Sequence, residues 1–236
     1  MKVISFGVWG TNPLYTTGIV DNCNTIKKLY VDWEPWVYYN NTLPTQIVDE
    51  LHNIQVKLIH VNNDNNNGLN SVWRFQPCMN DSVDVFLSRD CDSRITPREM
   101  QLVNSWLNSD KELHIIRDHA WHQMPIMAGM FGIKRGNLMN ILQHHIQNHL
   151  LGNLLVNDSD LENLHNTSMY QYDEKFLECK IFPASINCRM SHVSAGALYS
   201  DDIIIPPPHG NDFIGNKIHE ITKTPIIQYV NGLTRK

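Results

Sequence analysis

The chain is short of charge, and cysteine is sparse. Only 18% of its 236 residues are Asp, Glu, Lys or Arg, and the net charge is −5. A mildly acidic chain does not present the basic face that general nucleic-acid binding requires. No apolar run is long enough to cross a membrane. The apolar part of Met1-Lys2-Val3-Ile4-Ser5-Phe6-Gly7 is too short for a secretory signal and reads as a first core strand. The five cysteines, Cys23, Cys78, Cys91, Cys179 and Cys188, are odd in number and include no Cys-x-x-Cys pair. That spacing offers no zinc framework and points to a reducing, cytoplasmic compartment. Without a secretory signal, the Asn-x-Ser/Thr matches at Asn40, Asn80, Asn157 and Asn166 are chance. The abundance of Asn, including the run from Asn62 to Asn67, reflects base composition more than mechanism.

What is present is an alternation of strands and helices. Hydrophobic residues make up 42% of the chain, a globular composition with enough apolar side chains for a substantial core. Strands are expected at Val3 to Val8, Val37 to Tyr39, Val56 to Val61, Val83 to Ser88 and Leu113 to Ile116, with a further apolar segment from Ile126 to Phe131. Helices are expected over about 14 to 31, from Thr45, over 69 to 79, from Thr96, over 138 to 151, and over 173 to 181, stopping before Pro183. Thr96-Pro97-Arg98-Glu99 has the start signals in order: Thr at the cap, Pro first, Glu third. The tail around Pro206-Pro207-Pro208 reads as irregular. Such an alternation implies an open α/β sheet, whose ligands sit beyond the carboxyl ends of its strands. No linker or repeat divides residues 1–236, so one domain is expected, with its core at about 3 to 215.

The most informative segment is Val83 to Arg94. A β-branched, apolar run delivers Asp90 and Asp92, one residue apart, just past a strand end. Alternate side chains of an extended chain point the same way, so the two carboxylates can converge. Two hard carboxylates suit Mg²⁺ or Mn²⁺, ions that usually bring phosphate with them. The alternative is a solvated turn. At the first strand end, Gly7, Trp9 and Gly10 permit close approach of a ligand, although Trp9 equally suits a core position. His145 and His149, at i and i+4, could form a zinc pair, but solvated helix positions explain them as well.

An ordered series of motifs resembles a glycosyltransferase family with the GT-A fold, similar to enzymes of large algal viruses and related microbial sugar transferases. It runs through Trp73-Arg74-Phe75, Arg89-Asp90-Cys91-Asp92-Ser93-Arg94, Arg98-Glu99, Trp106-Leu107, Arg117-Asp118-His119 and Gly129-Met130-Phe131-Gly132. It continues through Tyr172 to Leu177, Pro183, Ser191-His192 and Phe213-Ile214-Gly215. The chain departs from the related pattern in having Asp173-Glu174 where Asp-Gln is common, and His192-Val193 where His-Asp is common.

The resemblance implies a single GT-A-like, Rossmann-related domain with a mixed, mostly parallel sheet flanked by helices. It also implies a nucleoside-diphosphate sugar donor, a divalent cation (Mn²⁺ or Mg²⁺), and a glycan or glycoprotein acceptor. Asp90 and Asp92 are then the metal ligands, with His192 as a candidate third. Arg74, Arg89, Arg94 and Arg117 are candidates to grip the diphosphate, or else partners in ion pairs. Gly7 and Trp9 would border the nucleoside. Asp118 would contact hydroxyls of the transferred sugar or cap a turn. Asp173 would be the carboxylate base on the acceptor hydroxyl, or simply favour a helix N-terminus. His119 and His122 would shape the acceptor pocket. Two alternatives stand beside this. One is a haloacid-dehalogenase-type phosphatase using Asp90 and Asp92, with Asp201 and Asp202 imitating its late metal pair. The other is a sugar-nucleotide-binding module without catalysis.

Overall fold

A computed structural model describes residues 1–63, 68–157, 170–218 and 224. Its centre is an eight-stranded sheet in the order β3-β2-β1-β4-β6-β5-β7-β8. The strands are β1 (Lys2–Val8), β2 (Trp33–Tyr39), β3 (Lys57–His60), β4 (Val85–Arg89), β5 (Leu113–Arg117), β6 (Met130–Lys134), β7 (Arg189–Val193) and β8 (Asp202–Ile204). β3, β2, β1 and β4 run parallel, as do β5, β7 and β8. β6 is antiparallel to both its neighbours, β4 and β5. The two parallel blocks therefore point the same way, and their carboxyl ends share one edge with the amino end of β6.

Alternation along each strand loads both faces. Val3 and Phe86 point to a core shared with Phe75, Phe131, Leu142 and Phe176. Their neighbours Ile4 and Leu87 point to the opposite core, with Ile19, Ile26, Val103 and Trp106. Helices α1 (Pro13–Leu29), α2 (Thr45–Asn53) and α3 (Pro97–Leu107) cover the second face, and α4 (Asn137–Leu150) covers the first. A 3₁₀ helix at Gly68–Met79 packs on the α4 side. As the start signals require, Thr96 caps α3 and its Oγ1 accepts from Glu99 N.

The structure departs from the sequence expectation in two stretches. The helix beginning at α5 (Tyr172–Phe176) does not stop before Pro183. It passes through a π-turn at Leu177–Ile181 into a last turn, Phe182–Ala184. A π-turn is wider than an α-turn, which accommodates a ring that would otherwise crowd the preceding carbonyls. β7 and β8, unexpected from sequence, extend the sheet beyond β5. Residues 64–67 of the Asn-rich loop and most of the tail beyond Ile218 lie outside the described residues.

Candidate active site

The Asp-x-Asp loop leaves the carboxyl end of β4 and is held from below by α1. Gly18 lets the two backbones touch, since a Cβ there would fall 1.8 Å from the carbonyl oxygen of Cys91. Asn22, buried one turn on, donates through Nδ2 to Ser93 O at 2.8 Å and accepts from Ile95 N at 3.1 Å. Gly129, preceding β6, leaves the space that the Asp90 carboxyl fills. The loop is thus fixed by tertiary contacts on both sides.

Around it the structure gathers Asp90, Asp92, Asp173 and Glu174 with two cations. Arg74, from the 3₁₀ helix, donates through one terminal nitrogen to Asp90 Oδ1 and through the other to Asp173 Oδ2. Burial works against the guanidinium charge, yet Asp90 and Asp173 outweigh it and hold Arg74 above its ordinary value. Lys217 Nζ pairs with Asp92 Oδ2 at 3.0 Å. Burial raises the Asp92 carboxyl above the usual range, with Asp90 adding to the effect. Burial pushes Glu174 up to about 8, with Asp173 and Asp90 contributing in the same direction. Near neutral pH this carboxyl therefore keeps its proton.

Of the other expected residues, Gly7 lies beside the loop and Trp9 beside the 3₁₀ helix. Cys91 Sγ lies 3.5 Å from the carbonyl oxygen of Gly7, and Trp9 meets Trp73 edge-on at 5.7 Å. Four expectations need correction. Arg89 turns inward to Glu99 Oε1 at 2.7 Å and to the Phe131 carbonyl at 2.8 Å, because its strand directs it into the core. Arg117 is fully buried, bound to Asp202 and to the Pro125 carbonyl. Asp118, also fully buried, is gripped bidentately by Arg98 at 2.8 and 2.7 Å and accepts from Ile214 N. His192 lies in β7 facing His114, with His192 Nδ1 2.9 Å from His114 Nε2, and His114 stacks on Trp106 on the α3 side. None of these four joins the carboxylate pair. Arg94 reaches Asp21 at 3.1 Å and backbone carbonyls, so it braces the loop against α1. His119 and His122 pack on Phe213, while His145 and His149 rest on Phe176 and Tyr172.

For a divalent cation, the test is what the two carboxylates have left. Arg74 takes Oδ1 of Asp90 and Lys217 takes Oδ2 of Asp92, so among the described residues Asp90 Oδ2 and Asp92 Oδ1 have no protein donor. These are hard oxygens at a negatively charged spot, Asp92 buried and Asp90 partly open to solvent, which suits Mn²⁺ or Mg²⁺. No three His, Cys, Asp or Glu side chains form a metal-holding group among the described residues. Among the described residues the pair would serve as the protein ligands, and phosphate oxygens and water would complete the shell.

No protein-family model matches the chain, and no curated protein matches it in sequence. Solved structures do match in shape. The galactosyltransferase LgtC, in complex with donor and acceptor sugar analogues, is similar over 80% of this chain and 73% of its own, at 13% identity and a TM-score of 0.50. TarS 1–349 from S. aureus is similar over 80% of this chain and 57% of its own, at 12% identity and a TM-score of 0.50. The chain has the GT-A fold. A glycosyltransferase involved in glycosylating the major capsid of PBCV-1 is a further neighbour, covering 81% of both chains at 14% identity and a TM-score of 0.49. In this GT-A sheet the Asp-x-Asp loop follows the fourth strand of the chain. A haloacid-dehalogenase phosphatase carries its pair on the first strand, and here Asp201 and Asp202 are taken by Arg189 and Arg117. The phosphatase alternative is therefore set aside. Among the described residues no helix is long and apolar enough to cross a membrane.

Asn22, Gly129, Glu174 and Lys217 are the site residues that sequence reasoning missed. Glu174 carried a signal, its place beside Asp173. Gly129 stood in the Gly129-Met130-Phe131-Gly132 motif without a role, and Asn22 and Lys217 became informative only through contacts 71 and 125 positions away along the chain, with Ser93 and Asp92.

Proposed function

We propose that the chain is a metal-dependent glycosyltransferase. It moves a sugar from a nucleoside-diphosphate sugar to a hydroxyl of a glycan or glycoprotein acceptor, with Mn²⁺ or Mg²⁺ bound by Asp90 and Asp92. One observation carries this reading: a carboxylate pair, each member with a spare oxygen, at the carboxyl edge of a GT-A sheet. The similarity to LgtC, a galactosyltransferase in complex with donor and acceptor sugar analogues, supports this reading. A bound cation supplies charge neutralisation for the departing diphosphate, where electrostatic stabilisation has most effect.

The chain's own residues do the rest. Arg74 holds Asp90 and Asp173 in a fixed relation. Gly7 and Trp9 border the nucleoside. Asp173 accepts the proton of the acceptor hydroxyl, and the neighbouring Glu174 carboxyl remains neutral near pH 7 and leaves that charge undisturbed. The free cysteines accord with a reducing, cytoplasmic setting.

A thermal-shift screen of UDP-, GDP- and TDP-sugars, with and without Mn²⁺, tests the reading. A ligand that binds only the folded state raises Tm. At least one donor should stabilise the protein in Mn²⁺ and not in chelator, and Asp90→Asn should abolish the effect while the protein stays folded. Binding without sugar transfer or donor hydrolysis, across many acceptors, would instead identify a non-catalytic binding module.

A further inference from the structure

Lys217 does not reach Asp92 from a neighbouring loop. It is carried by a strap, residues 213–218, that crosses from the end of β5 to the Asp-x-Asp loop. One end is anchored where Ile214 N donates to Asp118 Oδ2 at 3.0 Å and Phe213 stacks on His119, ring centroids 4.4 Å apart. The other end is anchored to the loop itself, where Lys217 forms an isolated β-bridge with Ser93 and Ile218 N donates to Asp92 O at 2.9 Å. The backbone beneath the lysine is therefore fixed. Its ammonium, on a flexible four-carbon stem, is free to turn locally.

We infer that Lys217 is a diphosphate-binding residue, kept on Asp92 until a divalent cation takes that carboxylate and then turned onto a phosphate oxygen. This rests on the glycosyltransferase reading. A divalent cation held by Asp90 and Asp92 would offset the negative charge that now holds the ammonium. The group that arrives with the metal is a diphosphate, the strongest local acceptor for a displaced lysine. Asp92 is the acid that acts most strongly on Lys217, with Tyr15 and Tyr170 contributing less. Arg74 cannot substitute, because both its terminal nitrogens are committed to Asp90 and Asp173. Lys217 thus gives the leaving diphosphate a protein cation that Arg89 and Arg117, bound inside the core, do not provide.

The consequence is a pair of effects of opposite sign. Titration calorimetry would measure Mn²⁺ alone, then UDP and GDP at saturating Mn²⁺, on the wild-type chain, Lys217→Gln and Lys217→Arg. Lys217→Gln removes the competing cation and should bind Mn²⁺ alone roughly tenfold more tightly, yet bind the nucleoside diphosphate roughly tenfold more weakly, the size of one charge-assisted contact. Lys217→Arg should keep wild-type behaviour in both. A lysine that merely braces the fold would weaken both ligands together when replaced. Unchanged or jointly weakened binding in Lys217→Gln, with circular dichroism intact, would overturn the inference and leave the proposed function standing. If wild-type chain binds neither Mn²⁺ nor either nucleotide, the functional reading fails and this one with it.

Discussion

Gly129 lies against the carboxyl of Asp90 with no room for a side chain. A Cβ at position 129 would fall 2.0 Å from Asp90 Oδ2, the oxygen that Arg74 leaves free. Contacts that short do not occur, so Gly129→Ala must move the carboxylate. The Asp90 side chain is 42% exposed and can rotate into solvent, so the fold should survive at small cost. What is lost is the direction of Oδ2. Gly129→Ala should keep Tm within a few degrees of wild type and weaken Mn²⁺-dependent nucleotide binding at least tenfold, about 1.4 kcal/mol. A thermal melt and a calorimetric titration on one sample check both halves.

Arg89 and Glu99 form an ion pair almost wholly removed from water, with side chains 3% and 2% exposed. Breaking such a pair by removing one partner leaves a buried charge uncompensated and costs about 3–5 kcal/mol. Arg89→Met should therefore lower Tm by roughly 6–20 °C in a chain of this size. Affinity for nucleoside diphosphate and Mn²⁺, measured well below that Tm, should stay at the wild-type level. A selective loss of nucleotide affinity at unchanged Tm would return Arg89 to the diphosphate site.

Local signals and long-range partners separate the legible elements from the rest. β1, β4 and the cap of α3 were legible because their signals are local: β-branched runs, and a Thr-Pro-x-Glu start. β7 and β8 were not. β7 reads Arg-Met-Ser-His-Val, and its buried polar residues make sense only against partners elsewhere, such as His192 beside His114. An arginine after a strand likewise looks the same whether it meets a phosphate or a buried acid. Arg74 meets Asp90 of the pair, whereas Arg117 meets Asp202, 85 residues away. Asp90 and Asp92 were legible because both lie in one short motif. Lys217 was not, since nothing in Asn216-Lys217-Ile218 marks it.

Glu174 makes stability depend on pH. Its carboxyl is raised to about 8 in the folded chain, first by burial and then by Asp173 and Asp90, against about 4.3 when unfolded. A raised folded value means the folded state holds its proton where the unfolded state has released it. The contribution is complete below about pH 4 and is lost progressively as pH rises towards 8. In chelator, to keep metal out, the wild-type Tm should fall across pH 5 to 8 more steeply than that of Glu174→Gln. Parallel curves would show that Glu174 ionises normally in the folded chain.

Asp173 is 4% exposed and shares Arg74 with Asp90, so its removal touches both the proposed base and the metal ligand. The two roles separate kinetically. If Asp173 takes the acceptor proton, its charge matters in the transition state and little to the bound donor. Asp173→Asn keeps the side-chain shape and leaves Arg74 on Asp90. It should lower kcat by 100-fold or more, the usual scale of general-base catalysis, while the donor KM and Mn²⁺ affinity change less than about threefold, under 0.7 kcal/mol. Equal losses in kcat and in donor affinity would instead make Asp173 a brace for Arg74, whose loss loosens Asp90, and the proton would have to leave by another group.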